Sequence, residues 1–81
     1  MDMEGNIINP SDKYNHTILI DDTSTINKTY IGKAETGSSQ SDSVWQIKCV
    51  DETEDISKIV FANGDSTFTN IWDNRTSLEY L

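Results

Sequence analysis

Cysteine and histidine each occur once in this chain of 81 residues, and their scarcity excludes much of the chemistry on which small proteins rely. With Cys49 alone no disulfide can form within the chain, and Cys49 with His16 cannot by themselves complete a zinc site. Cations are also few: six Lys and Arg stand against fourteen Asp and Glu, for a formal charge of −8. Such a charge repels phosphate backbones and anionic lipid at long range, which argues against nucleic acid and membrane surfaces as partners. No apolar run approaches the length of a membrane span. The first residues carry Asp2 and Glu4 where a secretory signal carries cations. The expectation is a soluble chain made in a reducing cytoplasm.

Large apolar residues are sparse as well. Ile, Leu, Val and Phe make up 18 of 81 residues, just above the range of disordered chains, so the expected core is small and single. Domains of this size often gain stability from disulfides, a metal or association. With a disulfide excluded and a metal unsupported, association remains.

What is present alternates. Residues 1–13 lack periodicity, hold Gly5 and Pro10, and read as an extended arm whose paired apolar residues, Ile7 and Ile8, would bind a partner. From Tyr14 to Ile20 apolar and polar residues alternate, with Tyr14, His16, Ile18 and Ile20 expected on the inner face and Asn15, Thr17, Leu19 and Asp21 on the other. Asp21, Asp22, Thr23 and Ser24 are turn formers, and Thr25 to Lys33 would return as the second strand of a hairpin. Ala34 to Ser43, rich in serine, predicts an exposed loop. Val44 to Val50 predicts a strand with Trp45, Ile47 and Cys49 on its buried face. An acidic run, residues 51–55, joins it to a strand over Ile56 to Ala62, which Asn63-Gly64 stops. Phe68, Ile71, Trp72, Arg75 and Leu78 recur at helical spacing, which predicts a short helix near 70–75, capped by Asn70 and with Asp73 suiting its dipole. Leu78 and Tyr80 would close the sheet. The predicted fold is mostly β: a small antiparallel β-barrel or β-sandwich of about five strands, with one short helical turn near the C-terminus. Residues 14–81 form the single domain.

No pattern points to catalysis, a cofactor or a metal. His16 reads as a hydrogen-bonded core histidine and Cys49 as a small buried hydrophobe. No Gly-x-Ser-x-Gly elbow frames any serine. The carboxylates of residues 51–55 lack the spacing of an EF-hand, and the glycines are too scattered to cradle a phosphate. Three Asn-x-Thr triplets, at Asn15, Asn27 and Asn74, match the glycosylation acceptor but are common by chance in a chain rich in Asn and Thr. Trp45 and Trp72 could form a sugar-stacking platform if exposed, yet so small a domain needs both inside. With Phe61 and Phe68 they are the expected core anchors.

Two stretches carry a resemblance. The first is Tyr30-Ile-Gly-Lys-Ala34, then Gly37-Ser-Ser, then Ser43-Val-Trp-Gln-Ile-Lys48. The second is Phe61-Ala-Asn-Gly-Asp65, then Phe68-Thr-Asn-Ile-Trp-Asp-Asn-Arg75 and Ser77-Leu-Glu-Tyr80. Together they resemble a family of small virion proteins of tailed bacteriophages, over roughly residues 29–81, with Asn63 and Cys49 departing from the residue types usual there. The resemblance implies a virion structural protein that assembles by protein contact, without catalysis, and does not distinguish head from tail. At 81 residues the chain is too short for a whole host-recognising tail fibre, which favours a head-fibre or capsid-decorating component docked on other virion proteins, and its small core without a covalent staple favours a homodimer or homotrimer. A tail-fibre adaptor, a carbohydrate-binding module and an acidic inhibitor of a host enzyme are the alternatives.

Overall fold

The computed structural model describes residues 15–81. The arm with Ile7 and Ile8, and Tyr14, lie outside the described residues.

Five antiparallel strands form one sheet: β1 (His16–Thr25), β2 (Lys28–Glu35), β3 (Ser43–Asp51), β4 (Lys58–Phe61) and β5 (Asn70–Ile71), followed by a 3₁₀ helix, Trp72–Ser77. The order is β1-β2-β3-β4, with β5 also on β3. The class is mostly β, as the alternation predicts. The sheet does not close into a barrel, because β1 and β4 lie at opposite edges and do not pair with each other.

β4 and β5 share one edge of β3. Lys48 to Asp51 face β4, whereas Ser43 and Trp45 face β5. Between them the Ala62 N–H donates to the Ile47 carbonyl (2.9 Å), and residues 63–69 leave the sheet opposite Gln46. Asn63 and Gly64, at φ 58° and 76°, both take the left-handed conformation that an Asn-Gly pair tolerates, and start this excursion. The Asn63 side chain closes its neck by donating to Asn70 Oδ1 (3.0 Å), and Gln46 holds its middle by donating to the Ser66 carbonyl (2.8 Å).

The core lies on one face only. Tyr30, Ala34, Trp45, Ile47, Cys49, Ala62 and Trp72 are buried there, with Leu19, Val60, Leu78 and Tyr80 packed against them. The chain after β5 supplies the cover. Trp72 leans on Trp45 with ring centroids 6.1 Å apart. It also sits so close over Gly32 that a Cβ at that position would overlap its ring. Absence of a side chain at residue 32 is therefore what lets the Trp72 ring seat over β2. Trp45 meets its polar need through Nε1, which donates to the Ser39 carbonyl (2.9 Å).

Several expectations are corrected. On β1 the faces are reversed: Leu19 turns inward while His16, Ile18 and Ile20 are exposed. The reason is register. Leu19 lies opposite Gly32, whose face is fixed inward by Trp72, and a period of two then sends residues 16, 18 and 20 outward. The predicted turn at Asp21 to Ser24 is a bulge inside β1, and the hairpin turn falls at Ile26 and Asn27, with Asn27 at φ 63°. Ala34, expected in a loop, is buried in β2. Asn70 is buried in β5 and caps nothing, since Ile71 occupies the N-cap without a side-chain bond. Of the four expected core anchors Trp45 and Trp72 are buried, Phe61 is half-buried on the outer face opposite Lys48, and Phe68 is 43% exposed.

Candidate interaction face

The covered face holds an ion pair and a tyrosine hydrogen bond that tie its cover down. Arg75 Nε donates to Asp21 Oδ2 at 2.7 Å, and its guanidinium carbon lies 4.6 Å from the Trp72 ring centroid. This pair ties the C-terminal cover to the edge strand. Asp21 Oδ1 meanwhile accepts from the backbone N–H groups of Thr23 and Ser24, which shapes the bulge. Hydrogen bonding from Ser24, then Arg75 and the Thr23 amide, holds the Asp21 carboxyl well below the usual carboxylate range. Tyr80 donates through its hydroxyl to the Arg75 carbonyl (2.7 Å), and burial pushes its phenol upward. Burial likewise pushes the Cys49 thiol up, in keeping with its place as a small packing group of the core.

The centre of this face is filled by its own side chains. Both tryptophans are buried, which removes them as a sugar-stacking platform. Among the described residues no three His, Cys, Asp or Glu side chains converge where they could hold a metal ion. The acidic run is self-occupied in part: Asp51 Oδ1 accepts from the Thr53 N–H (2.9 Å) and hydroxyl, which lowers its pKa. Asp51 also lies between Lys28 and Lys58 on the neighbouring strands, over a shallow cleft of about 220 Å³.

The outer face is different in kind. Ile18 and Ile20 of β1 are 57% and 66% exposed, and Ile59 of β4 is 61% exposed. The pairings Ile20–Ile31, Thr29–Val50, Val50–Ile59 and Lys48–Phe61 carry this apolar surface across the sheet. Near one end, His16 and Phe68 approach with ring centroids 6.0 Å apart, beside Val44, Glu35 and Ser38. The lysines of this face, Lys33 and Lys48, make no ion pair among the described residues. Exposed isoleucines spread across the sheet make the outer face the candidate interaction face.

Alternation alone shows that β1 and β4 present isoleucine on one face. It does not show which face the segment after β5 covers. That depends on the close seat of Trp72 over Gly32. Comparison with models of known protein families, with characterised proteins and with solved structures finds no match.

Proposed function

We propose that this chain is a non-enzymatic structural component that works by protein contact, with the outer face of its sheet as the contact surface. The observation that carries this reading is the exposure of Ile18, Ile20 and Ile59 on a face that no element among the described residues covers. Each large aliphatic side chain moved from water into an interface is worth roughly 1.5–3 kcal/mol. A few such residues are a sufficient source of association energy for a domain with so small a core.

The setting proposed for these contacts is a phage virion, as a head-fibre or capsid-decorating component. The resemblance of residues 29–81 supports it, and so does the acidity of the chain, which suits a particle surface better than packaged nucleic acid. Electron microscopy of particles carrying a labelled chain tests it. Label at regular positions on the head is the expected result, with loss of the same density when the chain is deleted. Particles without label would overturn the virion setting.

A further inference from the structure

We propose that two copies of this chain pair through β1, edge to edge and antiparallel about a two-fold axis at Leu19, so that one sheet runs through both. The inference rests on the reading of the chain as one that acts by protein contact.

Of the two sheet edges, β1 leaves the longer stretch without a partner among the described residues, since the β4 edge is covered in part. β4 is followed at its outer edge by the chain end: the Asn63 N–H donates to the Glu79 carbonyl (2.6 Å), the Leu81 N–H to the Phe61 carbonyl (3.3 Å), and Ala62 bridges Tyr80. β1 has β2 on one side and no described strand on the other. Natural sheets protect such an edge with lysine, proline, a bulge or an inward charge. From His16 to Ile20 the edge has none of these, and its bulge begins only after Asp21.

Backbone direction then selects which residues can pair. The Thr36 N–H donates to the Asn15 carbonyl (3.2 Å), so Asn15 addresses β2. Alternation along an antiparallel ladder turns Thr17, Leu19 and Asp21 the same way and leaves the N–H and C=O groups of His16, Ile18 and Ile20 pointing off the sheet. With the axis at Leu19, Ile18 of one copy and Ile20 of the other exchange both hydrogen bonds. The same register sets the His16 imidazole of one copy opposite the Asp22 carboxylate of the other. No charge of like sign is opposed at these positions, because residues 16–20 carry no carboxylate and the inward Asp21 is paired with Arg75. On a chain of formal charge −8 that stretch of edge therefore offers a second copy little repulsion.

The consequence on the outer face is a continuous row. Ile31 and Ile20 of one copy continue into Ile18 of the next, and the reverse row lies beside it. Two half-exposed isoleucines per copy are thereby partly shielded from water.

Sedimentation equilibrium on the full chain tests the pairing. The expected molar mass at high concentration is twice the 9.1 kDa of the chain. Ile20→Lys, at an exposed position, should lower it twofold while leaving the melt of dilute protein unchanged, and Ile59→Lys at the far edge should leave it at the dimer value. The Ile18 and Ile20 amides should exchange with solvent more slowly as concentration rises. A wild-type monomer would overturn the proposal. So would a dimer that Ile59→Lys dissociates and Ile20→Lys does not, which would indicate stacked faces, or one in which those two amides exchange as freely as in dilute protein. A β1-paired dimer missing from particles would contradict the virion setting and leave the pairing intact, whereas a monomer found on particles would contradict the pairing alone.

Discussion

The two faces of one sheet solve opposite problems with nearly the same residue types. The inner face carries Trp45, Ile47 and Cys49 and is covered by Trp72, Leu78 and Tyr80. The outer face carries Ile18, Ile20, Ile31 and Ile59, and no described element lies on it. The difference lies in the cover: among the described residues the segment after β5 packs on the inner face and none packs on the outer one. Hydrophobicity by itself therefore does not say which residues make the core. What says so is where the one covering segment can seat, and it seats where Gly32 makes room.

The comparison breaks most sharply at Trp45. Trp45→Ala should cost about 3–5 kcal/mol, the usual range for removing a large buried aromatic, and in a domain this small that approaches its whole stability. Ile59→Ala on the outer face should change stability by less than about 0.5 kcal/mol. Urea denaturation of the two variants checks both, and equal losses would mean that the faces had been wrongly distinguished.

Gly32→Ala comes next. The added Cβ overlaps the Trp72 ring, so the cover must lift or shift, at roughly the 1–3 kcal/mol typical of overpacking. Lys33→Ala, one residue along and on the outer face, should be close to neutral. A neutral Gly32→Ala in the same denaturation series would show that the cover does not depend on that contact.

A smaller effect separates the faces by pH. The folded-state pKa of Asp21 lies below its unfolded value, because the charged form is favoured by Ser24, Arg75 and Thr23. Its contribution to stability is complete above the unfolded value near about 4, and is lost as pH falls from there through the folded value. Melting midpoints taken between neutral and acidic pH should therefore fall on acidification, and fall less for Asp21→Asn, whose stability at neutral pH is already reduced. Identical acid slopes for the two proteins would remove the Asp21–Arg75 tie from the account.

Much of the sheet could be read from alternation. Trp45, Ile47 and Cys49 mark β3 and its buried side, and Asn63-Gly64 marks the end of β4, because each depends only on near neighbours. The misreadings share a cause. On β1 both faces carry apolar residues, so Leu19 against Ile18 and Ile20 is decided by the register with Gly32 and by Arg75, far along the chain. Asp21 to Ser24 do form the tight local turn their types favour, but it is absorbed as a bulge. Asn70 and Phe68 look like parts of a helix because their spacing suits one; pairing with β3 takes Asn70 into β5, and the excursion over residues 63–69 carries Phe68 to the surface. The outer face is not legible, since alternation places Ile18 and Ile20 on the inner side and the register that turns them outward is set by residues far along the chain.

The central claim is that the inner face makes the fold and the outer face makes the contacts. Its most direct test is the melting midpoint as a function of protein concentration, for the wild-type chain and for the double variant Ile18→Thr, Ile20→Thr. Association that binds only folded protein raises the midpoint with concentration. The wild-type midpoint should rise, and the variant midpoint should stay flat at the value the wild type reaches on dilution. A variant that melts well below the dilute wild type would contradict the account, because those isoleucines would then belong to the core of the single chain.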